Sequence, residues 1–166
     1  MNRCLRVLAL VTLPLLLYHR TAVAQQKCSV GEHRHFDFWV GKWEVTVQGG
    51  IAGHNEITLE EDGCVLHEHW TGSRGGTGQS FNIYDRAGGQ WHQFWVDDSG
   101  TVLHLTGQFA DGAMRLAGTT TGPGGKPIHQ RLVFTPNPDG TVRQLWEQSP
   151  DGETWTAVFD GLYRKQ

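Results

Sequence analysis

Three short stretches of this 166-residue chain set a hydrogen-bonding side chain two residues from an indole: Glu68 before Trp70, Gln93 between Trp91 and Trp95, and Gln144 and Gln148 on either side of Trp146. Side chains two apart on an extended strand share one face. A packed core avoids unpaired polar atoms, each of which costs roughly 1–3 kcal/mol. Aromatic walls with a few convergent polar groups are instead what a small-molecule pocket contains. The pairing therefore predicts a cavity that takes an apolar or aromatic ligand with a polar end, lined by Glu68, Trp70, Asn82, Gln93, Trp95, His104, Gln144 and Trp146. Two other readings use the same residues. In one, the tryptophans are cross-strand pairs on the outside of hairpins and the Glu and Gln side chains are solvated. In the other, Glu68 is a general acid or base, its pKa raised by the indoles and its partner His104.

Metal chemistry has one candidate beginning. His67-x-His69 points two imidazoles the same way on a strand, and His92 or His104 could add a third ligand. No His-x-x-x-His or Cys-x-x-Cys accompanies them, so solvated or packed histidines are the favoured reading and no metal is assigned. The chain has no Ser-His-Asp set, nucleophile elbow, phosphate loop or dinucleotide fingerprint. The glycine-rich run 72–78 has no helix after it to bind phosphate, and reads as a flexible hairpin at a barrel mouth. No catalytic residue and no cofactor is assigned, which leaves a binding protein as the leading class, with a barrel enzyme and a structural or partner-binding module as alternatives.

The elements that must position these residues are strands. Turn signals such as Gln48-Gly49-Gly50, Ala87-Gly88-Gly89, Asp111-Gly112 and Pro138-Asp139-Gly140 recur every eight to twelve residues. Between them lie runs with period-two alternation: Trp43, Val45 and Val47; Phe81 and Ile83; Met114 and Leu116; Trp155, Ala157 and Phe159. Strands are expected over 42–48, 53–60, 63–72, 78–85, 90–97, 101–109, 112–120, 127–135, 140–148 and 153–164, with one or two helical turns over 32–40. Ten short strands with tight connections predict an all-β fold, an up-and-down antiparallel β-barrel whose short N-terminal helix plugs one end. A Greek-key sandwich is the alternative architecture, because turn spacing alone does not separate hairpins from crossovers.

Gly41-Lys42-Trp43 resembles the Gly-x-Trp signature that opens barrels of the lipocalin and calycin superfamily. A longer pattern carries the likeness further: Phe36-Asp37-Phe38-Trp39-Val40-Gly41-Lys42-Trp43, then Asp62-Gly63-Cys64, then Trp91-His92-Gln93-Phe94-Trp95, then Trp146-Glu147 and Trp155. Together these resemble a bacterial family of exported, lipocalin-like domains with a Phe-Asp-Phe-Trp-x-Gly-x-Trp opening. The resemblance implies a barrel and implies no reaction. It also implies that Phe36, Phe38 and Trp39 plug one end, and that an arginine of the last strand, here Arg164, lies across the Trp43 ring. The chain departs from typical lipocalins in having more and shorter strands, and no long lid loop after the first.

The N-terminus bounds the compartment. Arg3 and Arg6 precede an apolar run over 7–18, and Ala22-Val23-Ala24 follows as a small-x-small cleavage site. Residues 1–24 therefore read as a secretory signal peptide, and 25–166 as a single lipocalin-like barrel domain that is periplasmic or secreted. The apolar run is shorter than the roughly 20 residues of a membrane span, so no membrane association is expected after cleavage. Cleavage would leave Cys28 and Cys64 as the only thiols, and in an oxidising compartment these are expected to pair. The net charge of −3, without any block of Lys or Arg, gives a nucleic-acid partner no electrostatic basis. A monomer or homodimer is expected.

Overall fold

The computed structural model describes residues 27–29 and 31–166; the expected signal peptide lies outside them. Ten antiparallel strands run β1 Gly41–Val47, β2 Gly50–Glu60, β3 Val65–Gly72, β4 Thr77–Asp85, β5 Gln90–Asp97, β6 Val102–Ala110, β7 Ala113–Thr121, β8 Pro127–Pro136, β9 Val142–Ser149 and β10 Thr156–Lys165. Each pairs with its sequence neighbours, and β1 pairs with β10, so the sheet closes as an up-and-down barrel. Closure rules out the sandwich. Gly49, Gly89 and Gly112 all have positive φ, the backbone geometry that tight hairpins require of their turn residues.

The plug is built of two 3-10 turns, Gly31–Arg34 and Asp37–Trp39. Phe36, Trp39 and Trp43 are fully buried, and Phe38 packs against them half-buried. The Phe36 and Trp39 rings stack at 5.0 Å between centroids, and Phe134 meets both, at 5.1 and 4.7 Å. The indole of Trp43 donates to the Trp39 carbonyl (2.8 Å), which ties plug to wall. A disulfide joins Cys28 to Cys64 across 36 residues. Beside it, Arg34 donates to the carbonyls of Cys28 (2.8 Å) and Gly63 (3.0 Å) and pairs with Asp37. The N-terminal segment is thereby held to the barrel end where β3 begins.

One expectation about the seam is overturned. Arg164 does not cover Trp43: it pairs across β1 with Glu44, points outward, and reaches the Thr46 hydroxyl at 3.3 Å. Lys165, opposite Trp43 in register, sets its ammonium 5.3 Å from the Trp43 ring centroid instead. The cause is strand phase. Gly161 and Tyr163 are buried on the inner face of β10, so Arg164 falls on the outer face.

The alternation expected through Trp155, Ala157 and Phe159 is also broken. A register shift between Ala157 and Phe159 leaves Ala157 exposed while Phe159 turns to the interior. Trp155 precedes β10 and carries the Arg131 guanidinium on its ring at 4.1 Å. Among the described residues no helix is long and apolar enough to cross a membrane.

Candidate functional site

The odd-numbered strands all run from the plugged end to the other end, and this direction converts residue order into layers. On β3, β5 and β9 the polar member precedes the indole by two residues, so Glu68, Gln93 and Gln144 lie one step deeper than Trp70, Trp95 and Trp146. β10 runs the opposite way, and its order is reversed to match: Phe159 comes first and Tyr163 lies deeper. The result is a polar floor beneath an aromatic rim. Together with Leu103 and Leu132 these side chains enclose a cavity of about 220 Å³. It is smaller than the roughly 300–1,000 Å³ pockets of drug-sized ligands, so it suits an occupant of one or two rings.

Glycines keep the rim open. A Cβ at Gly53 would stand 2.7 Å from two ring atoms of Trp70, and one at Gly78 would stand 2.2 Å from Cζ2 of Trp95. The Phe159 ring lies against Gly161 in the same way, at 2.4 Å. Each ring thus lies along the wall where only glycine leaves space, rather than across the lumen. Two rim indoles are fixed by their N–H groups. Trp146 donates to Gln130 (2.7 Å), whose own amide donates to Thr120 (2.8 Å), and Trp95 donates to Asp97 (3.3 Å).

On the floor, Glu68 is 4% exposed. Asn55 of β2 donates to its Oε1 (2.7 Å) and Ser80 of β4 to its Oε2 (2.5 Å). Burial raises its pKa from 4.5 to about 7 despite these two hydrogen bonds, which favour the ionised form. Tyr163 donates its hydroxyl proton to Gln144. Its own pKa is pushed well above the ordinary value, first by burial and then by the Glu68 charge.

Six of the eight expected lining residues, Glu68, Trp70, Gln93, Trp95, Gln144 and Trp146, are brought together here. Asn82 is fully buried but supports rather than lines: its amide donates to the Leu66 carbonyl (3.2 Å) and the Ser80 hydroxyl (2.9 Å). His104 is corrected outright. It stands on the outer wall, stacked on Phe94 at 4.2 Å with His92 Nδ1 3.0 Å from its Nε2, so no Glu68–His104 acid–base pair forms. Leu103 and Leu105, both buried, hold the inner phase of β6, and that alternation was legible beforehand.

Sequence reasoning missed Tyr163, Phe159, Leu103 and Leu132 as liners, and Asn55 and Ser80 as the partners of Glu68. Asn55 lies in phase with buried Ile57 and could have been found from it. Ser80 lies between exposed Gln79 and Phe81, where the larger apolar neighbour suggests the opposite phase.

His67 and His69 are also on the outer wall, with ring centroids 4.0 Å apart. Among the described residues no three or more His, Cys, Asp or Glu side chains gather in a metal-binding arrangement. A scan against known protein families finds no matching family. No curated protein matches the sequence either.

Proposed function

We propose that this protein is an exported carrier or sensor that binds a small, mainly apolar ligand with a polar end inside its barrel. The observation that carries the reading is the layered cavity, in which residues from β3, β5, β9 and β10 place hydrogen-bonding groups beneath aromatic rings. Indoles supply broad, rigid contact area at little entropic cost, and the floor orients the polar end. The N-terminal sequence pattern and the Cys28–Cys64 disulfide support export. The test is a tryptophan-fluorescence titration with 2-phenylethanol, a neutral one-ring probe. Saturable change in the native protein, weakened by Trp146→Ala with the far-UV circular dichroism retained, is the expected result. A full absence of binding by this and related one-ring probes overturns the reading.

A second reading, a partner-binding module, draws on the outer wall, where Phe81 is 51% exposed, Phe94 46% and Val96 52%. Such a module has no use for an unfilled interior, and the cavity therefore favours the first reading.

A further inference from the structure

Glu68 is a carboxyl group inside the barrel that no cationic side chain among the described residues meets. The side chains that face it come from β2, β4 and β10: Asn55, Ser80 and Tyr163. The remaining polar liners are Gln93 of β5 and Gln144 of β9. Among the described residues no Lys, Arg or His lines the cavity, and the one other titratable group there, Tyr163, holds its proton. Each Glu68 oxygen accepts a single hydrogen bond, although a carboxylate can take about four. Gln93 is 2% exposed, borders the cavity, and its side-chain amide has no protein partner among the described residues. The Oδ1 atoms of Asn55 and Asn82, in the wall behind the floor, are likewise buried without a partner. The open acceptor capacity of the floor is therefore centred on the Glu68 carboxyl, since Tyr163 already occupies the Gln144 oxygen.

The rim offers a complementary property. Three indoles and a phenyl ring surround the opening. Trp95 and Trp146 direct their N–H groups to Asp97 and Gln130, neither of which borders the cavity, so they meet an occupant with ring atoms. Aromatic faces attract a cation through the ring quadrupole. An ammonium group has three donors and no acceptor, the complement of a carboxylate with open acceptor sites.

We propose that the ligand is a small primary amine with a hydrophobic body, whose ammonium group pairs with Glu68 beneath the aromatic rim. This assignment rests on the binding reading above and deepens it. The amine takes the ionised carboxylate, so a proton competes with it. Because the empty site titrates at about 7, amine affinity at pH 6 is about tenfold weaker than at pH 8.

The experiment is isothermal titration of the purified mature protein with three one-ring probes: 2-phenylethylamine, 2-phenylethanol and phenylacetate. At pH 8 the amine is expected to bind on the order of tenfold more tightly than the alcohol, as a charge-assisted hydrogen bond exceeds a neutral one. Phenylacetate, repelled by Glu68, is expected to bind most weakly. At pH 6, amine binding is expected to release a proton, read as a dependence of the heat on buffer ionisation enthalpy, and this readout needs no variant. Glu68→Gln is expected to abolish the preference for amine over alcohol, with an unchanged far-UV circular dichroism spectrum showing that the variant folds. If amine and alcohol bind equally, or if the alcohol or phenylacetate binds best and only below pH 7, the amine assignment fails and the binding barrel stands. If none of the three binds, both fail together.

Discussion

The two ends of this barrel are built from the same residue types and do opposite things with them. At the plugged end Phe36, Trp39, Trp91 and Phe134 meet edge-on, stacked or tilted at 4.7–5.7 Å and are almost fully buried. At the open end Trp70, Trp95, Trp146 and Phe159 are half-buried, with three of the four rings lying along glycines and a cavity between them. Aromatic content therefore does not distinguish a core from a site. What distinguishes them is how the rings are held: packed ring on ring at one end, and at the other, for three of the four, along a glycine with a polar side chain one step deeper.

Paired truncations at the two ends separate core from site. Trp39→Ala is expected to cost about 3–5 kcal/mol in urea unfolding, since the ring is completely enclosed and its neighbours cannot collapse into its place. Trp146→Ala, with its ring facing a cavity, is expected to cost well under half of that. If the two losses were equal, the open end would be a core in the same sense as the plug. Removing the disulfide by Cys28→Ser and Cys64→Ser together is expected to cost roughly 3–4 kcal/mol for a 36-residue loop in the chain-entropy picture. The measurement is the same, and the loss belongs to the plugged end alone: ligand affinity at temperatures where the protein stays folded should not change.

The strands and the barrel were legible because turn chemistry and period-two alternation are local. All ten strands fall within a few residues of their expected limits, and residue order alone placed six side chains in one cavity. What was not legible depended on phase at polar positions. His104 was misplaced although Leu103 and Leu105 marked its strand's inner face. The pair Asn55 and Ser80, which holds the Glu68 carboxyl, comes from the two strands that flank β3, and which of their polar residues face Glu68 depends on hairpin register, which turn geometry sets and residue types alone do not reveal. The glycines beneath the rim read as ordinary turn or strand residues until the rings are seen lying on them.

The two ends also differ in their response to pH, through Glu68. Its folded pKa of about 7 lies above its ordinary value of 4.5, so the folded protein binds more protons than the unfolded chain between those values and loses stability as pH rises through them. The cost is complete above pH 7 and is on the order of 3 kcal/mol. Glu68→Gln is therefore expected to stabilise the protein at pH 8 and to change it little at pH 4, as measured by thermal unfolding at both. A stabilisation of equal size at both pH values would mean that the carboxyl is not ionised at a cost inside the barrel. No such pH-linked term is expected for substitutions in the plug contacts between Phe36, Trp39 and Phe134, which involve no titratable group.

The smallest expected effect tests where the plugged end is sealed. Lys165 pairs in register with Trp43 and sets its ammonium 5.3 Å from the ring centroid, while Arg164, one residue earlier, lies on the outer face beside Thr46. A lysine over an indole at an exposed position contributes roughly 0.5–1 kcal/mol. Its aliphatic stem adds cover as well, since Cε of Lys165 would be 3.5 Å from a Cβ at Gly41, the residue that opens β1 with φ +136°. Lys165→Ala is therefore expected to lower the melting temperature by a few degrees, and Arg164→Ala by less, in thermal unfolding at low ionic strength. Lys165→Met, which keeps the stem and removes the charge, separates the two contributions: recovery of most of the loss assigns it to packing, and failure to recover assigns it to the cation over the ring. If instead Arg164→Ala proved the more damaging, the inner phase of β10 set by Gly161 and Tyr163 would have to be wrong at its last turn of the barrel, and with it the placement of Tyr163 on the cavity floor.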